Sequence, residues 1–132
     1  MNEIAAFQPP QGDDSTTPDL PHNIEAEQQL LGAILASNDV LDRVDDLVKP
    51  DHFHDPVHAD IFATAAARIV KGQQTDATTL KNFMADHAGL KTLGGAEYLL
   101  RLQLSAVATS AARDYAQLIH DLAIRRSLID LG

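Results

Sequence analysis

The chain has 132 residues, with 19 acidic against 10 basic side chains and a net charge of −9. This length suits one domain with one core, and the absence of cysteine excludes disulfides, thiol catalysis and cysteine zinc sites. The acidic balance argues against a duplex-DNA binder, which normally presents a basic face. Without 18 consecutive apolar residues or a secretory signal, we expect a cytoplasmic protein without a membrane span.

The charge is uneven along the chain. Residues 1–50 hold ten acids and two bases, a net of −8, whereas residues 51–132 hold nine acids and eight bases, a net of −1. Residues 1–20 are predicted to form a flexible tail, because they are rich in proline and polar residues and offer little to bury. The nearly neutral second half favours contacts with other proteins.

The first two predicted helices follow this tail. Asn23 is placed to cap the first, and apolar residues at helical spacing follow it in residues 30–35. The second helix has a short apolar face between Val40 and Val48, and Pro50 ends it.

The third and fourth helices each begin at an aspartate. Asp55 supplies a capping carboxylate directly before Pro56, which is a strong helix start, and Gly72 is placed to end that helix. Asp76 is predicted to cap the fourth helix, which we expect to end near Gly89.

The last two helices complete the prediction. Gly94 and Gly95 precede the fifth, and Thr109 or Ser110 caps a long sixth helix that runs to the end of the chain. Since no strand-like alternation occurs, the predicted fold is all-α, a compact bundle of about six helices. The helical spacing is unfinished after Ile129, so we expect a longer protein that continues beyond residue 132.

A histidine-rich segment is the strongest candidate for chemistry. His52, His54, Asp55 and His58 are residue types that bind zinc or manganese, which suggests a metal-dependent phosphohydrolase as an alternative function. Their spacing argues against one site, because two histidines precede the helix and the third lies within its first turn. A capping loop with solvated histidines explains the same pattern, and we predict no metal site.

Other catalytic motifs are missing from the sequence. Gly94 and Gly95 are not followed by the lysine of a phosphate-binding loop, and no Gly-x-Ser-x-Gly elbow occurs. We therefore predict no catalytic, cofactor-binding or metal-binding residues. Arg125 and Arg126 suit the negative end of the last helix, although a partner contact is the alternative role.

Ordered motifs in residues 21–132 closely resemble the N-terminal domain of the bacterial replicative DNA helicase, the DnaB family. The matching segments, in order, are Pro21–Glu27, Leu30–Leu35, Pro50–Phe53, His58–Phe62, Gly72, Asp76, Thr79–Leu80, Gly94–Gly95, Tyr98–Leu99, Tyr115–Ile119 and Arg126–Ile129. The sequence departs from the family pattern at His54, where an aromatic residue is more usual, and at Arg125, where an apolar residue is.

The resemblance implies a non-catalytic interaction and oligomerisation domain. Six such domains would form a collar that binds primase and couples to helicase loading, with DNA passing through the ring and little direct DNA binding by this domain. The long last helix would be the first arm of a helical hairpin through which domains dimerise, with the second arm and the ATPase domain outside residues 21–132. ATP and magnesium would serve only the full-length enzyme at the replisome.

The resemblance also implies two sets of contact residues. Tyr98, Arg126 and Ile129 would bind the partner, primase, although Tyr98 and Ile129 could instead be core residues. Dimerisation through the hairpin would involve Tyr115, Ile119 and Leu122. A stand-alone helical adaptor unrelated to replication is the third alternative, which leaves the order of the motifs unexplained.

Overall fold

The computed structural model describes residues 20–131 of the chain. These residues fold into seven α-helices and two short 3-10 turns, joined by loops. The predicted tail therefore lies outside the described residues, apart from Leu20. The helices are α1 (Ile24–Ala36), α2 (Val40–Val44), α3 (Pro56–Val70), α4 (Ala77–Phe83), α5 (Ala88–Leu93), α6 (Ala96–Ser105) and α7 (Ala112–Leu131), and the 3-10 turns are Pro50–His52 and Thr109–Ala111. The all-α prediction is confirmed. No helix in this part of the chain is both long and apolar enough to cross a membrane.

Polar side chains define where three of the helices begin. The Asn23 side chain accepts the Ala26 N–H at 2.9 Å at the start of α1. Asp55 accepts the N–H groups of Val57 and His58 at the start of α3, and Asp76 accepts that of Thr79 at the start of α4. Each side chain replaces a bond that the first turn cannot make internally, which confirms the three predicted helix starts.

Removing the Asp55 cap should weaken α3 without abolishing the fold. Asp55→Ala leaves the Val57 and His58 N–H groups without their carboxylate acceptor, so we expect the free energy of unfolding to fall by about 1–2 kcal/mol. Urea denaturation measures this loss. Asp55→Asn keeps a capping oxygen and should recover most of it; equal stability of the alanine and asparagine variants would contradict the capping role.

The predicted fourth helix is wrong at its end, because α4 stops at Phe83 and Gly89 lies inside the additional helix α5. The His87 side chain caps α5 by accepting the Leu90 N–H at 3.0 Å, a role that the sequence pattern did not suggest. Gly94 and Gly95, with φ values of 124° and 64°, then make the sharp turn into α6.

Helix α1 lies at the centre of the fold and packs against α3, α6 and α7. Its residues Leu30, Leu31, Ile34 and Leu35 are almost completely buried. Burying each such side chain contributes about 1.5–3 kcal/mol. Because α1 is surrounded in this way, one of its charged residues, Glu27, is also buried, and it meets the start of α3.

Candidate interaction surface and the buried network beside it

A buried polar network joins α1, α3 and α6. Glu27 is 2% exposed and His58 is fully buried. The Glu27 carboxylate accepts the His54 N–H at 2.7 Å and the Asp55 N–H at 3.3 Å, and lies 2.9 Å from His58 Nδ1. A carboxylate can accept hydrogen bonds from the two backbone N–H groups and from the histidine ring at once. Glu27 therefore links α1 to the start of α3 through three hydrogen bonds.

The network continues from His58 to the surface. His58 Nε2 lies 2.6 Å from the Tyr98 hydroxyl, which also accepts from the Gln28 side chain at 3.2 Å. With Nδ1 donating to Glu27, Nε2 is left to accept the Tyr98 proton, so a neutral imidazole satisfies both neighbours. Burial is the largest cause that raises the pKa of Tyr98 above its ordinary value, which keeps this hydroxyl protonated.

The prediction that the histidines of this segment are solvated is wrong for His58, which belongs to the buried network. His58 is internal and bonded on both ring nitrogens, whereas the Asp55 carboxylate caps α3. His52 and His54 lie in separate aromatic pairs. Within residues 20–131, no group of three or more histidines and carboxylates is arranged to hold a metal ion, so the phosphohydrolase alternative is not favoured.

The residues expected to support dimerisation lie mainly on the inner side of α7. Ile119 and Leu122 are buried in the domain's own core, and Tyr115 packs partly against it. Ile119 and Leu122 are thus covered within the single chain, and their part in dimerisation stays a prediction. Helical periodicity identified an apolar face of α7 without revealing which side the core would cover.

A different set of apolar residues is exposed on α7. Leu118, Ile124, Leu128 and Ile129 are between 38% and 62% exposed, and the last two are exposed by more than half. From Ile124 to Asp130 the helix has no buried residue, and every side chain there except that of Arg126 is exposed. The Ile129 side chain is thus exposed, and its contact with a partner stays a prediction. Leu118, Ile124 and Leu128 are exposed apolar residues of the same helix that the sequence analysis did not single out.

Arg126 is partly exposed, and its guanidinium is bonded to the chain itself. Its guanidinium donates to the Pro21 carbonyl at 2.9 Å and to the His52 carbonyl at 2.6 Å. These bonds fix the distal half of α7 to two other segments, a role beyond the helix-dipole effect. Tyr98 is 9% exposed. Partner binding by Arg126 or Tyr98 stays a prediction, and the observed contacts of both are internal.

Comparison with known proteins now places this helical domain in a family. Residues 19–121 match the family model described as the DnaB-like helicase N terminal domain. The chain belongs to this family. The resemblance inferred from the ordered motifs is thereby confirmed, and the match covers α1 to the first half of α7.

Curated relatives carry the same family name. The chain is 36% identical over 113 residues to the replicative DNA helicase DnaB of Rickettsia conorii, and 37% identical over 113 residues to that of Rickettsia typhi. Each alignment covers 86% of this chain and 23% of the relative. The chain therefore spans about a quarter of the length of these relatives.

Two solved structures show the same fold at 28% sequence identity. The N-terminal domain of DnaB helicase from Mycobacterium tuberculosis matches with a TM-score of 0.80, covering 86% of this chain and 83% of that one. A second structure, described as a DnaB-like replicative helicase and its interactions with primase, matches with a TM-score of 0.70 over 83% of this chain and 26% of that one. The DnaB N-terminal family therefore shares both the sequence pattern and the helix arrangement of this chain.

Proposed function

We propose that the chain is the non-catalytic interaction domain of a replicative DNA helicase and that it acts through the exposed side of α7. The observation that carries this proposal is the exposed end of α7 after Ala123, which we call the α7 overhang. Ile124, Leu128 and Ile129 are exposed there, whereas one face of the preceding part of α7 packs against the core. Exposed apolar residues clustered on one element are typical of a protein-binding surface.

Three partners fit this surface. A second copy of the chain would pair through α7 as part of a collar, and primase is suggested because a matched structure is described by its interactions with primase. The net charge of −9 disfavours strong DNA binding by this domain itself. A helicase loader is a further partner of the same kind.

Motor activity is proposed for the longer protein only. ATP hydrolysis with magnesium and DNA unwinding belong to regions that the relatives have beyond the quarter matched here. A cytoplasmic location at the replisome follows from that role. The family assignment disfavours the stand-alone adaptor, because it accounts for the order of the motifs.

Binding to the C-terminal domain of primase from the same organism tests the proposal. We expect saturable binding in a titration calorimeter, and Leu128→Asp or Ile129→Asp should weaken it at least tenfold, because a carboxylate would then be buried in an apolar contact. Sedimentation equilibrium on the same samples reports pairing of the chain with itself, which the same substitutions should weaken.

Val70→Asp is the matched control. Val70 is 78% exposed but lies at the end of α3, away from the α7 overhang. It should leave primase binding and self-association unchanged. If Val70→Asp weakens both as strongly as Ile129→Asp, or if the α7 variants bind like the parent, the interaction surface is not on α7.

A further inference from the structure

Four histidines and an arginine meet where three segments of the chain join. The His22 and His54 rings are stacked with centroids 4.1 Å apart, and the His52 and His120 rings meet edge to face at 5.2 Å. Arg126 bonds to the carbonyls of Pro21 and His52 between these pairs. Residues 20–22, the loop 50–54 and the distal half of α7 are thus held together at one place, which we term the histidine junction.

A backbone hydrogen bond at the junction requires a neutral ring at His52. His52 Nδ1 accepts the Lys49 N–H at 2.9 Å, so this nitrogen carries no proton. His22 donates from Nδ1 to the Leu20 carbonyl at 2.7 Å, and His120 donates from Nδ1 to the Leu47 carbonyl at 2.8 Å. A second proton on His52 would have to occupy Nδ1, and the bond to Lys49 would be lost.

The surroundings of His54 disfavour the protonated form of its ring. Its pKa is lowered by burial first and then by His22 and Arg126, whereas Glu27 and Asp55 act in the opposite direction. Both opposing carboxylates are already engaged, Glu27 with backbone N–H groups and His58, and Asp55 with the start of α3. They therefore offer little compensation for a charged His54 ring.

His52 is affected in the same way. Burial lowers its pKa, Asp51 opposes the shift, and His120, Arg126 and Lys49 reinforce it. Asp130 is the other acid near this ring, across a surface depression that His52 and Arg126 also line. Protonating His52 and His54 would thus place two new positive charges close to the Arg126 guanidinium.

We propose that the histidine junction is a pH-sensitive latch that opens locally in mild acid, releasing residues 20–22 and the distal half of α7 while the core stays folded. The pKa values of His52 and His54 are lower in the folded chain than the ordinary value of 6.5 for histidine. The neutral rings therefore contribute their full stability to the folded state above pH 6.5. This stabilisation is lost as the pH falls from 6.5 through the lower folded pKa. The opening of the junction does not depend on the proposed function. Only its consequence, a pH-dependent orientation of the interaction surface on α7, rests on that proposed function.

Amide hydrogen exchange on the 132-residue chain tests the latch. Protection factors, each referred to the intrinsic rate at the same pH, are compared at pH 7.5 and 5.5. We expect protection in residues 124–130 to fall roughly threefold or more, with residues 30–35 of α1 changing by less than about twofold. Proton NMR of the histidine rings on the same sample should show His52 and His54 titrating below 6.5.

Matched variants identify the groups that respond. In a His52→Gln and His54→Gln double variant the glutamine side chains cannot take up a proton, so the acid-induced loss of protection in 124–130 should disappear. His87→Gln is the control, since His87 lies at the start of α5 beside Asp60, away from the junction, and should keep the acid response.

Three results would overturn the proposal. One is an equal loss of protection in α1 and the distal half of α7, which would mean global acid destabilisation. Another is unchanged protection at pH 5.5 although the rings have titrated. The third is an acid response that persists in the double variant. The exchange profile and ring titration of the unsubstituted chain decide the first two cases even if the double variant does not fold.

Discussion

Replacing Glu27 with alanine is expected to lower the free energy of unfolding by about 3–5 kcal/mol, the largest effect of any single substitution considered for this chain. The change removes the acceptor for the His54 and Asp55 N–H groups and for His58 Nδ1, all at a buried site. Leaving buried donors unsatisfied costs more than the bonds themselves contribute. Urea denaturation followed by circular dichroism measures the loss.

Glu25→Ala provides a matched control. Glu25 lies in the same first turn of α1 but is exposed, so its removal should cost no more than about 1 kcal/mol from the helix dipole. Tyr98→Phe should cost about 1–3 kcal/mol, because His58 Nε2 then lacks its partner. If Glu27→Ala unfolds the chain, Glu27→Gln, which keeps one acceptor oxygen, provides the measurement. Equal stability of the Glu27 and Glu25 variants would contradict the structural role of the network.

Gly32→Ala is expected to destabilise the chain by about 1–3 kcal/mol, although alanine favours a helix. A Cβ on Gly32 would overlap the backbone carbonyl oxygen of Leu102 and lie 3.3 Å from the Ala106 Cβ. Because backbone cannot rotate away as a side chain can, α1 and α6 would have to separate. Thermal and urea unfolding both report the change.

Two comparisons separate the effect of the close contact between α1 and α6 from the effect of helix propensity. Helix propensity alone predicts that Gly32→Ala stabilises the chain by about 0.5–1 kcal/mol, so the sign of the change is itself diagnostic. In Gly89→Ala the new Cβ meets a side-chain methyl group of Val57 at 2.8 Å rather than backbone, so the contact can be relieved without moving the backbone of a second helix. We expect a smaller effect there. A stabilised Gly32→Ala variant would show that α1 and α6 are not in direct backbone contact.

Local signals in the sequence account for the correct part of the fold prediction. Asn23, Asp55 and Asp76 each bond to N–H groups within the next three residues, so their capping role depends on nothing outside one turn. The missed helix α5 has six residues, and its cap is a histidine, which ordinarily carries no such signal. The ordered motifs identified the family because they extend over most of the chain.

The candidate site was less predictable, because it depends on contacts between distant residues. Glu27 lies in the first turn of α1, yet its carboxylate reaches the start of α3, about thirty positions away in the chain. Ile119 and Leu122 share a face of α7 that the core covers, whereas Leu128 lies past the end of the core. Periodicity alone treats these positions alike.

The sequence by itself determined the all-α class, three helix starts and the family, since each rests on local hydrogen bonding or on the order of motifs. Only the tertiary structure decided which polar residues are buried and which apolar residues of α7 remain exposed. Burial depends on where the other helices end in space, and that is set by the packing of α1 against α3, α6 and α7. The same packing brings four histidines and Arg126 together from three separate segments.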